Sequence, residues 1–332
     1  MNKIIYTFIS LLLTAIILIS CGESNATAKN DKLSIVATIF PEYDWVCEIL
    51  GDKVKNVEVT MLLDNGVDLH SYQPTINDIA KISDCDMFIY FGGESDGWVN
   101  DALKNAKNDK MKVINLLEVL GDSVKTEELI EGMQEEEHYH HHEEITEEKH
   151  EHEEEKDEHV WLSLKNAKIL CKKIADNLSE IDPENKDIYS ANVSAYIEKL
   201  SALDEEYKKM VNGSNRKIVL FGDRFPFRYL VDDYGLDYYA AFVGCSTETE
   251  ASFETVAFLS KKTDELKLPC VLTIEGANHK IAETVVANTY SKNQKVLTMD
   301  SMQSTTSSDV KNGITYISVM EKNLDILREA LK

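Results

Sequence analysis

Short apolar runs alternate with helical periodicity along most of the chain. Four runs rich in β-branched and aromatic residues occur in the first half, at 33–40, 57–63, 87–91 and 112–116. They are largely apolar, which is typical of strands buried on both faces of a parallel sheet. A helical stretch over 43–50 follows the first run. The pattern therefore predicts an α/β lobe.

The same alternation returns in the second half of the chain. Strands are predicted at 218–221, 238–243, 271–274 and 296–299, with helices over 254–266 and 280–290. Between the two halves, a helical pattern over 162–178 precedes Asp182-Pro183, a favourable N-cap and N1 pair that opens a helix to about residue 210. We predict a two-lobed clamshell of parallel-sheet α/β lobes joined by one long rigid helix. The predicted domains are an N-terminal lobe at 32–180, a linking helix at 181–212 and a C-terminal lobe at 213–332.

The first residues indicate the compartment. Met1-Asn2-Lys3 is weakly positive, and the apolar run at 4–19 is short for a membrane span but typical of a signal-peptide core. Residues 18–21 (LISC) resemble the bacterial lipobox, in which the cysteine is acylated. We predict a lipoprotein signal peptide at 1–20, lipidation at Cys21 and a tether at 21–31, and hence an extracytoplasmic protein anchored to the bacterial cell membrane. An ordinary secretory signal or an uncleaved anchor helix is the alternative.

Charge narrows the choice of partners. The 332 residues carry a formal net charge of −24, which argues against nucleic acid and against an anionic membrane surface as partners. Such a charge attracts cations. We expect a monomer, and the spacing of the cysteines matches no disulfide framework or zinc knuckle.

One segment, 126–158, breaks the α/β order because it is rich in Glu and His and has almost no apolar residues. It cannot bury enough surface to fold by itself, so we predict a disordered or mobile loop. Six of the nine histidines lie in it, namely His138, His140, His141, His142, His150 and His152. We interpret the loop as a collector of loosely bound metal ions; a solvated acidic spacer is the alternative.

Polar residues that follow the predicted strands are candidates for a binding site, because ligands of open α/β sheets bind beyond the carboxyl ends of the strands. Asp223, Glu275 and Asp300 each follow a strand of the second lobe, and His70 follows the second strand of the first. His159 lies where the acidic loop ends. Imidazole with carboxylate suits zinc and also manganese. Taken singly, each carboxylate could equally cap a helix or pair with a neighbouring residue.

Two segments resemble a known family. Residues 66–74 (GVDLHSYQP) and 157–162 (DEHVWL) look like the ligand-bearing loops of the zinc and manganese ABC transporter substrate-binding proteins, and 315–323 (TYISVMEKN) resembles their C-terminal helix. The resemblance implies a high-affinity metal site with His70 and His159 as ligands. It also implies an ABC permease as the partner, and the His-rich loop resembles the zinc branch.

The chain departs from the family at the third ligand. The zinc branch usually has His, and the manganese branch Glu, just after the first strand of the second lobe, where this chain has Asp223. The resemblance suggests Asp300 as a last ligand or its neighbour. Glu275 and Cys245 are secondary candidates; a thiolate at Cys245 would favour zinc, whereas a small buried residue in a turn is the plainer interpretation.

The predicted function is capture of zinc and its delivery to an ABC import permease, which requires no catalytic group. Manganese is the alternative metal, since two histidines with two carboxylates resemble the manganese arrangement. A zinc-dependent hydrolase, with Glu275 as general base, is an alternative of another class, but the sequence lacks a His-Glu-x-x-His motif. A lipoprotein adhesin or chaperone with structural metal is a further alternative.

Overall fold

The computed structural model describes residues 32–134, 155–246, 248–276 and 278–332. The predicted signal peptide, Cys21, the tether and the six loop histidines lie outside these ranges. Within them, no helix combines the length and the apolar character needed to cross a membrane.

The first lobe is built on a parallel four-stranded sheet with strand order β2-β1-β3-β4. Its strands are β1 Ser34–Ala37, β2 Glu58–Met61, β3 Met87–Tyr90 and β4 Lys112–Asn115. Its helices are α1 Phe40–Leu50, α2 Ile76–Asp84, α3 Val99–Lys104 and α4 Leu116–Leu120. Each apolar run predicted for this lobe contains one strand. All four residues of β3 are buried, as expected for a central parallel strand covered on both faces.

The second lobe repeats this topology with strand order β6-β5-β7-β8, again parallel throughout. Its strands are β5 Ile218–Phe225, β6 Asp237–Val243, β7 Cys270–Ile274 and β8 Lys295–Met299. The β5 strand runs four residues beyond the predicted 218–221, with an irregular register between Phe221 and Arg224. Asp223 therefore lies within the strand, whereas the sequence predicts that it follows the strand.

Two long helices, α5 Leu164–Ile181 and α6 Lys186–Gly213, lie between the sheets in the chain. A 3-10 turn, Pro183–Asn185, lies between them and leads directly into α6, with Asp182 at its N-cap and Pro183 in its first turn, as predicted. Later helices are α7 Arg228–Tyr234, α8 Phe253–Glu265, α9 Lys280–Ala287, α10 Ser307–Lys311 and α11 Tyr316–Ala330. The α6 helix packs against α1 and α5 of the first lobe and α7 and α11 of the second. The predicted two α/β lobes and long connecting helix are confirmed.

Both described ends of the acidic segment are ordered, contrary to the prediction for 126–158. Thr126 and Lys156 form an antiparallel bridge, and the Glu127 amide donates to the Glu155 carbonyl at 2.8 Å. Further along, the Gln134 amide donates to the carbonyl of Ala241 in β6 at 2.9 Å. Backbone groups make these contacts, so the low apolar content of the segment gives no indication of them. The rest of the segment, 135–154, lies outside the described residues.

The Glu42 carboxyl of α1 is fully buried, and its Oε2 accepts hydrogen bonds from the Thr38 amide and hydroxyl, both at 2.8 Å. Burial, reinforced by the nearby Asp96, raises the pKa of Glu42 from 4.5 to about 8. Because the folded state holds this proton more tightly than the unfolded state, the stabilising contribution is present at acidic pH. It is lost as the pH rises toward 8.

We expect Glu42→Gln, which cannot ionise, to remove this contribution to the pH dependence of stability. The free energy of unfolding of the variant minus that of the wild type should rise by about 1–3 kcal/mol between pH 5 and pH 8. Urea denaturation at both pH values measures this difference, with exposed Glu118→Gln as the control. A difference that stays constant with pH would contradict the raised pKa.

Candidate metal centre

Three side chains from distant parts of the sequence converge between the lobes. His70 lies in the short 3-10 turn Leu69–Ser71 after β2, His159 precedes the turn Val160–Leu162, and Cys245 follows β6. One potential ligand atom of each lies within 4.8 Å of the others, and the two imidazole centroids are 5.4 Å apart. Imidazole and thiolate are the zinc ligands most used by proteins.

The orientation of His70 is held by the loop after β3. Its Nδ1 lies 2.8 Å from the Ser95 hydroxyl and 3.6 Å from Glu158 Oε2. The other Glu158 oxygen accepts a hydrogen bond from the Ser95 amide at 2.9 Å, which holds Glu158 and Ser95 together beside His70. Among the described residues, the buried Nε2 of His70 has no hydrogen-bond partner. A proton on Nδ1 leaves the Nε2 lone pair available to a metal ion.

His159 is fully buried and is oriented by Asp157. Its Nδ1 lies 3.0 Å from Asp157 Oδ1, which also accepts the His159 amide at 2.9 Å. The Asp157 carbonyl accepts the Tyr229 hydroxyl of α7 at 2.8 Å. As with His70, the buried Nε2 has no partner among the described residues. A carboxylate behind a histidine is the arrangement that fixes the tautomer and raises the basicity of metal-binding imidazoles.

Contacts from both sides hold the turn that carries Cys245. Its amide donates to Glu127 Oε1 at 2.8 Å, which joins the turn to the start of the acidic segment. At Gly244, a Cβ would lie 2.9 Å from Cε1 of His159 and 3.0 Å from a backbone oxygen. The lack of a side chain at Gly244 therefore allows the turn to pack directly on the imidazole.

One arginine joins the turns that carry His70 and Cys245. In β5, Arg224 donates to Asp68 Oδ2 at 2.6 Å, and the other oxygen of Asp68 accepts the His70 amide at 3.0 Å. The same guanidinium donates to the Ser246 carbonyl, directly after Cys245, at 3.1 Å. Because Asp68 belongs to the first lobe and Arg224 to the second, the pair sets the distance between the two turns.

Carboxylates surround the cluster before any ion binds. Burial, followed by the nearby His159, lowers the pKa of His70 to about 3, so this imidazole is neutral at physiological pH. Burial alone would lower the pKa of His159, but the charges of Asp157, Glu158 and Glu127 outweigh it and raise the pKa. Burial also raises the pKa of the Cys245 thiol well above 9. Such a site favours a cation.

The structure places the carboxylate candidates outside the cluster of His70, His159 and Cys245. Asp223 Oδ2 accepts the Thr273 hydroxyl at 2.5 Å and the Ile274 amide at 3.3 Å. Asp300 Oδ1 accepts the Met302 amide at 2.8 Å. These hydrogen bonds hold β5, β7 and the turn after β8 in place. That Asp223 and Asp300 bind the ion stays a prediction.

Glu275 supports the same turn after β8. Its two oxygens accept the Ser301 amide at 2.7 Å, the Ser301 hydroxyl at 2.6 Å and the Gln303 amide at 3.2 Å. Burial, then the charge of Asp300, raises the pKa of Glu275 to about 7. In this conformation the carboxylate is engaged in holding the turn.

Sequence reasoning missed the residues that orient the ligands. These are Ser95, Glu127, Asp157, Glu158 and Arg224. Asp157 and Glu158 were detectable as acids beside a candidate histidine, because metal-binding imidazoles usually have such partners. The ninth histidine, His279, also went unconsidered; it lies before α9, with Nδ1 3.2 Å from the Thr273 hydroxyl and outside the cluster.

Comparison with known proteins identifies the family of this chain. Residues 35–330 match the model of a family described as zinc-uptake complex component A, periplasmic (ZnuA). The chain belongs to this family. This match confirms the resemblance noted in the sequence. The family consists of components of an uptake complex, in agreement with the prediction that the protein is not an enzyme.

Named relatives and a solved structure extend the match. The zinc-binding lipoprotein AdcA of Streptococcus pneumoniae serotype 4 is 36% identical over 326 residues, 97% of this chain and 60% of AdcA. The high-affinity zinc uptake system protein ZnuA of Bacillus subtilis is 32% identical over 94% of this chain and 93% of that protein. The crystal structure of the Zn(II)-bound ZnuA-like domain of S. pneumoniae AdcA is 31% identical with a TM-score of 0.69, covering 90% of this chain and 99% of that one. The chain thus spans about 60% of the length of AdcA.

We expect Asp157→Asn to lower the affinity of the protein for zinc by roughly 10- to 100-fold, the usual effect of removing a carboxylate behind a metal-binding histidine. The neutral amide no longer stabilises the charge of a metal-bound His159. Competition against a chromophoric chelator measures the affinity, with exposed Asp122→Asn as the control. Equal affinities of Asp157→Asn and wild type would show that this hydrogen bond does not support metal binding.

Proposed function

We propose that this protein captures zinc outside the cytoplasm and delivers it to an ABC import permease. One observation carries the proposal: the Nε2 atoms of His70 and His159, two residues of the cluster, are buried and have no hydrogen-bond partner among the described residues. Leaving a buried polar atom unpaired costs about 1–3 kcal/mol. A bound cation removes that cost at both imidazoles.

The donor set and its surroundings fit a zinc ion. Zinc–nitrogen distances are about 2.0–2.1 Å, so neighbouring donor atoms of a tetrahedral site are roughly 3.3–3.6 Å apart. Because 4.8 Å is an upper bound on the distances between the donor atoms of the cluster, reaching this spacing needs a contraction of at most about 1.5 Å. Between His70 and Cys245, a small movement of one lobe toward the other would supply it, since these residues belong to different lobes.

The relatives support the same assignment. AdcA is named a zinc-binding lipoprotein, and the B. subtilis relative is named a high-affinity zinc uptake system protein. A periplasmic component of an uptake complex needs a membrane partner, which supports the permease as the recipient of the metal. Anchoring through acylated Cys21 is supported by the lipobox-like sequence and by the name of AdcA, a lipoprotein, and a monomeric state stays an expectation.

Manganese is less well supported than zinc. Carboxylate oxygens suit manganese, and the two carboxylates predicted as ligands, Asp223 and Asp300, are engaged in hydrogen bonds outside the cluster. Hydrolytic chemistry has no support either, because the proposed general base, Glu275, is bonded to the turn at Ser301.

We expect His70→Ala to lower zinc affinity by at least about 100-fold, because it removes a ligand and the effect should exceed that of removing a supporting carboxylate. Isothermal titration of metal-free protein measures this loss. His279→Ala is the matched control, since His279 lies outside the cluster. Asp223→Ala and Asp300→Ala should cause smaller losses. Retained affinity in His70→Ala with an unchanged circular dichroism spectrum would sink the proposed site.

The His-rich segment is proposed to bind further zinc ions weakly. Replacing its six histidines by Ser should abolish the weak phase of a zinc titration and leave the tight phase unchanged. Substitution is preferable to deleting 127–155, because Glu127 holds the Cys245 amide. Replacing six exposed serines elsewhere by Ala controls for general loss of polarity. Loss of the tight phase would instead place a loop histidine among the ligands.

A further inference from the structure

A thiol completes the group formed by the two histidines. The ligand atom of Cys245 lies within 4.8 Å of those of both His70 and His159. The two strands that precede His70 and Cys245, β2 and β6, occupy the same place in the repeated strand order of the two lobes. The ligands therefore approach the centre from equivalent loops of opposite lobes, as a site between two lobes requires.

Several contacts are built specifically around the Cys245 turn. Glu127 holds its amide, Arg224 holds the carbonyl of the next residue, and Gly244 allows direct contact with the imidazole of His159. A small core residue in a turn needs none of these contacts. By contrast, Cys85 lies against the Ile82 carbonyl and the Met111 sulfur, as a cysteine that fills space in a core does.

We propose that the Cys245 thiolate is the third zinc ligand and that it makes the site select zinc over manganese. The inference rests on the proposed function and names the basis of its metal specificity. On loading, the S–H bond breaks, a zinc–sulfur bond forms and the proton leaves to the solvent buffer. Thiolate is a soft ligand that suits zinc, whereas manganese suits carboxylate, carbonyl and water.

Selectivity for zinc over manganese then depends more on the donor atoms than on the charge around them. The carboxylates of Glu127, Asp157 and Glu158 attract zinc and manganese alike, because both are divalent cations. Zinc already binds nitrogen ligands more tightly than manganese, and one sulfur ligand widens that gap. Replacing the sulfur by oxygen should narrow it while keeping the charge of the surroundings.

The first test is the absorption spectrum of the cobalt(II)-loaded protein, because cobalt reports a thiolate ligand through an intense sulfur-to-cobalt charge-transfer band in the near ultraviolet. We expect this band at one equivalent of cobalt in the wild type. It should be absent from Cys245→Ser and present in Cys47→Ser, a matched control whose thiol lies half-buried on α1. A wild-type spectrum without the band at one bound equivalent overturns the inference, whatever the variants do.

The second test is competition between zinc and manganese for metal-free protein. Cys245→Ser should reduce the ratio of zinc to manganese affinity by roughly 10- to 100-fold, and Cys47→Ser should leave it unchanged. An unchanged ratio in a folded Cys245→Ser protein that still binds zinc tightly removes Cys245 from the ligands and leaves the proposed function standing. Wild-type protein that fails to bind zinc overturns the proposed function itself.

Discussion

The ion pair between Asp68 and Arg224 is the interaction on which the geometry of the candidate site most depends. It joins residues 156 positions apart in the chain and is partly buried, so solvent screens it less than a surface pair. Through the His70 amide and the Ser246 carbonyl, it determines where the turns of His70 and Cys245 lie. Each lobe contributes a parallel sheet. The Asp68–Arg224 pair then fixes the relative position of the two loops that carry His70 and Cys245.

The architecture was predictable because it follows from local pattern. Strands buried on both faces are largely apolar, and every predicted apolar run overlaps one of the observed strands. Boundaries were less predictable: β5 continues through Gly222-Asp223-Arg224, since its irregular register lets polar residues stay in the sheet. A polar residue in a sequence does not end a strand when a neighbouring strand or helix satisfies it.

The two histidines were predictable from their position and from the resemblance, whereas the third member of the cluster was ranked low. Cys245 gains its place through Glu127, 118 residues earlier in the chain, and no local pattern signals such a contact. That the three carboxylates bind the ion stays a prediction. Asp223, Glu275 and Asp300 do lie near the carboxyl ends of strands, but neighbouring hydroxyls and amides use their oxygens. Position identifies candidates, and among the described residues the unpaired Nε2 atoms of His70 and His159 distinguish these two from the three carboxylates.

Charge and the type of donor atom therefore make separate contributions to metal recognition. Three carboxylates around the cluster favour any cation over neutral or anionic solutes, and burial keeps their field from being screened. That field cannot distinguish zinc from manganese, because both carry the same charge. The distinction requires atoms that bond differently to the two ions, and two imidazoles with one thiolate are such atoms. In such a site the carboxylates beside the ligands attract the cation, and the nitrogen and sulfur donor atoms select zinc over manganese.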